Sequence, residues 1–300
     1  MRDVIGVKEL VVISGKGGTG KTSLVASFAA LARDPVLADC DVDAADLHLV
    51  LAPEVERREE FRSGHEAIIR GADCVRCGAC LAHCRFDAVK KDSQGTGKTT
   101  FSMDPFACEG CGVCVRFCPA GAIDFPERVS GEWYVSRTRF GPMVHARLGI
   151  AAENSGKLVS AVRKEARRIA LEQGKSFLLV DGPPGIGCPV IASVTGASLV
   201  LAVTEPTLSG EHDLARVLDL ARHFAIPTAV CVNKWDINVR MTERIEQDAA
   251  DAGAAIVGRI PYDRSVTQAQ VNAKPVVEFD DGPAAGAIRR VWENLCKMAL

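Results

Sequence analysis

The sequence predicts an α/β fold, a doubly wound and mostly parallel sheet, with a smaller cysteine-rich α+β segment inserted into it. Short, near-continuous apolar runs, typical of buried parallel strands, alternate along the chain with helical patterns. A glycine-rich loop joins the first of these runs to the first helical stretch. Eight of the twelve cysteines lie in residues 74–118, between the second and third runs, so the cysteine-rich segment interrupts the sheet.

Length and composition allow a large core and exclude some classes of partner. The chain has 300 residues, is 47% hydrophobic, and suits one large domain or two smaller ones. The formal net charge of -2 gives no broad basic surface for nucleic acid. The start of the chain has no signal-type apolar region, and no run approaches the roughly 18 apolar residues of a membrane span. We therefore expect a cytoplasmic protein with no nucleic-acid partner and no stable membrane association.

The first strand and helix enclose a phosphate-binding motif. Leu10–Ile13 is an apolar strand and Ser23–Arg33 a helical stretch, and this strand-loop-helix order is the context that a P-loop requires. The loop between them consists of Gly15, Lys16, Gly17, Gly18, Thr19, Gly20, Lys21 and Thr22. Its glycines let backbone amides close around phosphates, Lys21 supplies charge to the β and γ phosphates, and Thr22 can bind magnesium.

The extra lysine, Lys16, narrows the class. Lys-Gly-Gly-Thr-Gly-Lys-Thr resembles the deviant P-loop of the MinD, ParA and nitrogenase iron protein superfamily of ATPases. The resemblance implies an ATP-dependent homodimer in which Lys16 reaches the partner's nucleotide.

Two later strands end in the acidic residues that such a site needs. Val36–Ala38 leads into Asp39 and Asp41, and by resemblance Asp41 orients the attacking water while Asp39 supports the magnesium region. Phe177–Val180 leads into Asp181, which by resemblance holds a magnesium-bound water in the Walker B and switch II segment. Aspartates at strand ends also cap helices or form turns, so these alternatives stay open.

The remaining strands complete the predicted sheet, and the residues after one of them bear on which nucleotide base is bound. They are predicted at Leu199–Val203, Ala229–Val232 and Ile256–Ile260, with nucleotide at their carboxyl ends. Asn233, Lys234 and Asp236 match the guanine-specifying pattern Asn-Lys-x-Asp. The related ATPases also place an asparagine there against adenine, so we favour ATP over GTP.

The cysteines repeat one spacing at an offset of 34 residues. The two sets are Cys74, Cys77, Cys80 and Cys84, then Cys108, Cys111, Cys114 and Cys118. This pattern resembles a bacterial two-cluster ferredoxin, although Arg85 stands where Pro119 follows the second set. The resemblance implies two 4Fe-4S clusters with crosswise ligation, the first three cysteines of each set sharing a cluster with the fourth of the other. Zinc and disulfides are the alternatives, but zinc ribbons separate their pairs by about 12 to 20 residues, and a reducing cytosol disfavours disulfides.

These motifs divide the chain into a P-loop ATPase domain, residues 1–61 and 127–300, and a ferredoxin-like insert, residues 62–126. The ends of the insert must return close together, with its clusters beside the switch I segment that follows the second strand.

Three remaining segments have simpler interpretations. Gly95–Thr99 resembles the end of a P-loop, but Asp92 stands in the place of its first glycine, so we interpret it as a polar loop. The stretch from Asn154 is predicted to begin a helix. The apolar stripe Ile288, Val291, Trp292 and Leu295 is expected to pack on the sheet.

The leading hypothesis is a homodimeric magnesium ATPase whose nucleotide state gates electron transfer through the two clusters, serving an unidentified redox protein. The alternative is an ATP-dependent iron-sulfur assembly or carrier protein of the Mrp type. A positioning switch like MinD or ParA is a third reading, for which the sequence offers no membrane or DNA patch. Cys188 lies seven positions after Asp181, where the nitrogenase iron protein places a cluster ligand, but no second cysteine occurs between residues 119 and 187.

Overall fold

The computed structural model describes residues 6–93, 99–149 and 155–298. The chain divides into two compact units: unit 1 comprises residues 1–59, 132–148 and 155–300, and unit 2 comprises residues 60–131 and 149–154. Residues 95–98 of the P-loop-like stretch, and Asn154 of the predicted helix start, lie outside the described residues.

The strands are β1 (Lys8–Ser14), β2 (Val36–Asp39), β3 (Glu54–His65), β4 (Ile68–Ile69), β5 (Val89–Ser93), β6 (Thr99–Met103), β7 (Ile123–Asp124), β8 (Glu127–Arg137), β9 (Pro142–Leu148), β10 (Phe177–Pro184), β11 (Leu199–Thr204), β12 (Thr228–Asn233) and β13 (Ala255–Ile260). The helices are α1 (Lys21–Leu31), α2 (Leu47–Leu51), α3 (Ala79–His83), α4 (Val113–Arg116), α5 (Ser155–Glu172), α6 (Cys188–Val194), α7 (Leu208–His223), α8 (Val239–Asp251), α9 (Arg264–Val271), α10 (Val276–Phe279) and α11 (Pro283–Met298).

A nine-stranded sheet has the order β13-β12-β11-β1-β10-β2-β9-β8-β3. The strands from β13 to β9 in this order pair in parallel. The predicted mostly parallel α/β sheet is therefore confirmed. β1 lies between β10 and β11, with later strands on one side and β2 beyond β10 on the other. The order of the strands reverses at this point, and such a switch point opens a crevice at the carboxyl ends of the strands.

The core of unit 1 explains why the apolar runs form its central strands. Every residue of β11 is buried, as are all but the first residue of β1, because helices cover both faces of a parallel sheet. The C-terminal helix packs as its stripe predicts: Ile288, Val291 and Leu295 are buried, and the Trp292 ring lies 5.2 Å from the Phe28 ring. Each buried side chain of this size contributes about 1.5–3 kcal/mol to the stability of the fold.

Strands β3, β8 and β9 extend the sheet where the sequence suggested only a connection. β3 begins Glu-Val-Glu-Arg-Arg-Glu-Glu, and the side chains of this stretch are exposed. It is the edge strand, where charged side chains prevent pairing with other chains. An edge strand of this kind lacks the apolar alternation by which buried strands are found.

Unit 2 has its own antiparallel pairs, β4 with β7 and β5 with β6. Two short helices repeat at the same offset as the cysteines, and each begins after a left-handed glycine, Gly78 at φ 76° and Gly112 at φ 72°. Its small core consists of Ala67, Cys80, Val89, Cys114 and Ile123. The repeated cysteine spacing therefore corresponds to a repeated local structure.

Candidate functional site

The loop between β1 and α1 has the backbone of an anion-binding cradle. Gly18 and Gly20 take positive φ angles of 79° and 89°, which residues with a side chain rarely adopt. A Cβ on Gly20 would lie 2.5 Å from Nδ2 of Asn233, so this position also lacks room for a side chain. Consecutive backbone amides at the start of a helix favour bound phosphate.

Lys21 is buried and lies among acidic residues at the carboxyl ends of β2 and β10. Asp39 is fully buried, and its carboxylate accepts hydrogen bonds from the backbone N–H groups of Asp41 (3.1 Å) and Leu47 (3.3 Å). Burial raises the pKa of Asp39 well above its usual value, and the neighbouring Asp181 adds to the rise. The Asp39 side chain therefore fixes the segment between β2 and α2.

Asp181 is buried, and neither carboxylate oxygen has a hydrogen bond of ordinary geometry, although the Thr22 hydroxyl is close enough to lower its pKa. Burial raises its pKa to about 7, although Lys21 opposes the rise. An unpartnered carboxylate is costly in a protein interior, and a divalent cation with oxygen ligands removes that cost. The donor set therefore fits magnesium beside Thr22.

Asp41 is half-buried and free to point into the same region. Burial raises its pKa to about 6, and Lys21 again acts in the opposite direction. The electrostatic influence of Lys21 on both Asp41 and Asp181 shows that the structure brings these three predicted residues together.

Asn233, Lys234 and Asp236 make contacts that hold loops in place. Asn233 donates from Nδ2 to the carbonyl of Thr19 at 2.8 Å and accepts from the backbone N–H of Lys234. Asp236 accepts from the backbone N–H of Tyr262 at 2.7 Å. Asn233 thus supports the P-loop from behind, and its contact with a base stays a prediction.

Lys16 of the P-loop contacts a segment that the sequence did not single out, the turn from β11 into α7. Its ammonium is 3.4 Å from the carboxylate of Glu205 and donates to the hydroxyls of Thr207 (3.4 Å) and Ser209 (3.3 Å). Glu205 also accepts from Lys234 at 2.7 Å. An acid directly after the apolar run of β11 was the available signal, since polar residues at that edge of the sheet face the nucleotide crevice.

In unit 2, Cys74, Cys77, Cys80 and Cys118 line one small cavity together with apolar residues that include Phe101 and Ile123. These four cysteines are the set that the ferredoxin resemblance assigns to one cluster. The Cys118 sulfur also accepts a hydrogen bond from the backbone N–H of Ala122 at 3.3 Å.

The two sets place their third cysteines in similar surroundings. Burial raises the pKa of Cys80 and of Cys114, and the two earlier cysteines of each set raise it further. Burial also acts to raise the pKa of Cys84, but backbone N–H groups following it in the chain donate to its sulfur and lower the pKa overall.

All twelve cysteines are free thiols in the structure. Within the described ranges, no three His, Cys, Asp or Glu side chains converge on a position for one metal ion. Cys188 is exposed at the start of α6, Cys40 and Cys231 are buried, and Cys296 is exposed. In the described part of the chain, no helix has the length and apolar character that a membrane crossing requires.

The sequence profile described as "CobQ/CobB/MinD/ParA nucleotide binding domain" (CbiA) matches residues 10–276. The chain belongs to this family. The matched range includes the P-loop between β1 and α1. Membership of this family supports ATPase activity at the family level.

Relatives of this CbiA-family protein include one from Methanocaldococcus jannaschii, described as uncharacterized, that is 34% identical over 242 residues, which is 79% of this chain and 82% of the relative. An iron-sulfur cluster carrier protein of Pyrococcus horikoshii is 22% identical over 307 residues, covering 96% of this chain and 85% of the carrier.

Among solved structures, the septum site-determining protein MinD of Pyrococcus horikoshii, complexed with Mg-ADP, superposes with a TM-score of 0.59 at 17% identity, and the match covers 97% of each chain. At this identity the likeness concerns the fold alone.

Proposed function

We propose that this protein is a magnesium-dependent ATPase that carries iron-sulfur clusters on unit 2, with nucleotide turnover in unit 1 controlling their transfer. The observation that carries the proposal is the grouping of Cys74, Cys77, Cys80 and Cys118 around one cavity, in a chain that also holds a P-loop. The full-length similarity to a cluster carrier supports this reading over the electron-transfer hypothesis.

The geometry of unit 1 suits phosphoryl transfer, which depends mainly on positioning and charge. Backbone amides of the P-loop and the Lys21 ammonium would bind the phosphates. Thr22 and Asp181 would hold magnesium, which supplies positive charge against the phosphate oxygens. Asp41 would orient the attacking water, while the hydrogen bonds that Asp39 accepts keep the Asp41 segment in place.

The cysteine cavity fits a multi-iron cluster better than zinc. A tetrahedral zinc site brings its sulfurs to about 2.3 Å from a single ion, so its ligands must converge. In a four-iron cluster each thiolate binds a different iron, and the sulfurs stand further apart. The cavity is lined by four cysteines whose spacing in the sequence resembles that of a ferredoxin and not that of a zinc ribbon.

Dimerisation driven by ATP is part of the proposal. The deviant P-loop carries Lys16 for a partner's nucleotide, and a γ-phosphate bound between two chains would couple nucleotide state to their association. Hydrolysis would then separate the chains and change the access of an acceptor protein to the clusters.

Nucleotide-gated electron transfer remains a second candidate because a specific feature favours it. Backbone N–H groups donate to the sulfurs of Cys84 and Cys118. Hydrogen bonds to cluster sulfurs tune reduction potential, and complete four-cysteine sets suit resident clusters.

One experiment separates the two candidates. The anaerobically purified holoprotein is mixed with an apo-ferredoxin acceptor in the presence of ATP, ADP or no nucleotide, and cluster arrival is followed by circular dichroism. A carrier transfers its cluster at a rate that depends on ATP, and Lys21→Ala abolishes that dependence because phosphate binding is lost.

Reduction potentials of the clusters are measured in the same three nucleotide states. Potentials that respond to ATP, together with no transfer to the acceptor, would overturn the carrier function and establish the electron-transfer alternative.

A further inference from the structure

The loop from Glu205 to Thr207, which connects β11 to α7, and Ser209 in the first turn of α7 contact two lysines of the nucleotide site. The Glu205 carboxylate lies 2.7 Å from the Lys234 ammonium and 3.4 Å from that of Lys16. Its side chain is only 14% exposed, so water weakens this pairing less than it weakens a pair on the open surface. The single Glu205 carboxylate thus pairs with two lysine ammonium groups beside the P-loop.

The loop is built as a fixed support. Thr207 caps α7 by accepting from the backbone N–H of Gly210 at 3.0 Å, and Thr204 donates to the Gly210 carbonyl at 2.9 Å. A Cβ on Gly210 would lie 2.3 Å from the Glu205 carbonyl oxygen, so the turn closes tightly on itself. Glu205 is therefore presented on a rigid turn.

Lys16 is engaged within its own chain. Besides Glu205, its ammonium meets the hydroxyls of Thr207 and Ser209, so three oxygens surround it. The same ammonium cannot contact these oxygens and also extend to the nucleotide of a second chain. The two positions of Lys16 exclude each other.

We propose that Glu205 is a positioning residue that restrains Lys16 within its own chain until the phosphates of a partner's ATP take the lysine. The proposal rests on the proposed ATP-dependent dimer, in which Lys16 serves the partner's nucleotide. Because the ion pair between Lys16 and Glu205 is partly exposed, it is weak enough for a triphosphate to replace Glu205 as the partner of Lys16. Without nucleotide, the same ion pair opposes the association of two chains. Lys234 keeps Glu205 in place, because it bridges the carboxylate and the Gly18 carbonyl of the P-loop.

The first test measures the contact in the nucleotide-free protein. Acetylation of Lys16 by a succinimidyl ester is followed by peptide mass spectrometry in the full-length holoprotein and in Glu205→Gln. We expect Lys16 to react about threefold to tenfold faster in the variant, because a free amine is more accessible than a paired one. Lys175, which pairs with Asp34, is the internal reference. Equal rates for Lys16 would overturn the proposal.

The second test measures how the release of Lys16 from Glu205 affects ATP-dependent dimerisation. Sedimentation velocity gives the protein concentration at which ATP drives half of the chains into dimers. Glu205→Gln should lower this concentration about fivefold, the equivalent of about 1 kcal/mol per dimer, or about 0.5 kcal/mol for each of its two ion pairs. The shift should vanish when Glu205→Gln is made in a Lys16→Ala background, as a double-mutant cycle requires of two groups that act through each other. A shift that persists there would show that Glu205 acts elsewhere and would overturn the proposal.

Two further variants make the result specific. Glu246→Gln removes a carboxylate of similar exposure that pairs with Arg259, and it should leave both readouts unchanged. Ser209→Ala removes one hydroxyl beside Lys16 and should raise the labelling rate by a smaller factor, which keeps the test valid if Glu205→Gln folds poorly. A different outcome is faster labelling in Glu205→Gln together with a wild type that does not dimerise with ATP. That outcome would overturn the ATP-dependent dimer of the proposed function, and with it the release of Lys16 to a partner's nucleotide.

Discussion

At the scale of single residues, the unpartnered carboxylate of Asp181 is the feature that a stable fold alone does not explain. Both oxygens are buried without a hydrogen bond of ordinary geometry, the Thr22 hydroxyl lies nearby, and Asp39 and Asp41 lie in the same acidic region. Burial of a charged group without a partner is destabilising by several kcal/mol. Lys21 offsets part of this cost, and a magnesium nucleotide would offset the rest.

The cysteine assignment makes a prediction at this scale. The wild type, purified anaerobically, should contain about eight irons per chain if both ligand sets bind four-iron clusters. Cys77→Ser and Cys118→Ser should each lose the same cluster, because both side chains line one cavity. Iron content falls by about half in both, and the remaining cluster gives the same electron paramagnetic resonance spectrum. Cys111→Ser is the matched control and should lose the other cluster. Different remaining spectra for Cys77→Ser and Cys118→Ser would contradict crosswise ligation.

At the scale of elements, sequence pattern predicted the strands that are apolar and missed those that are not. The strands β1, β10 and β11 could be predicted from the sequence, because parallel strands that are covered on both faces carry apolar runs. β3 is charged along most of its length, so no periodicity reveals it. The P-loop was predictable because its glycines follow a strand and precede a helix. Glu205 was not, because a single acid acquires its role only from the lysines that the fold brings to it.

A buried ion pair links three elements of unit 1. Arg163 on α5 pairs with Glu9 on β1 at 2.7 Å, and it donates to the carbonyls of Ala192 (2.6 Å) and Thr195 (3.1 Å) at the end of α6. Burial raises the pKa of Glu9, and Arg163 opposes that rise. α6 follows the Asp181 segment, so this pair helps to fix the helix that a moving switch II would pull on.

Arg163→Met should destabilise unit 1 by about 3 kcal/mol, because it leaves the Glu9 carboxylate buried without its main partner. Urea unfolding followed by tryptophan fluorescence measures this, since Trp133, Trp235 and Trp292 all belong to unit 1. Arg168→Met, on the same helix, removes a more exposed arginine and should lower the free energy of unfolding much less than Arg163→Met does. Equal losses in the two variants would show that burial of the pair does not govern its contribution.

At the scale of the whole molecule, the two units differ in what stabilises them. Unit 1 contains a large core to which its central strands, α1 and α11 contribute apolar side chains. The buried cluster at the core of unit 2, which consists of Ala67, Cys80, Val89, Cys114 and Ile123, includes two candidate cluster ligands, Cys80 and Cys114. A segment of about 70 residues with so small an apolar core usually needs a metal centre or disulfides to fold stably. No disulfide joins its cysteines, so under the proposed function the clusters would supply that stability.

Removal of the clusters should therefore unfold unit 2 and leave unit 1 folded. We expect the cluster-free protein, prepared by anaerobic chelation, to become sensitive to trypsin between residues 60 and 131, because the Lys and Arg side chains there would sit on unstructured backbone. The thermal transition of unit 1, reported by tryptophan fluorescence, should shift by less than about 2 °C, because its apolar core is unchanged. The double variant Cys77→Ser/Cys111→Ser should reproduce both results without a chelator. If tryptophan fluorescence instead collapses together with cluster absorbance, the two units unfold as one cooperative body, and the stability of the nucleotide site itself depends on the clusters.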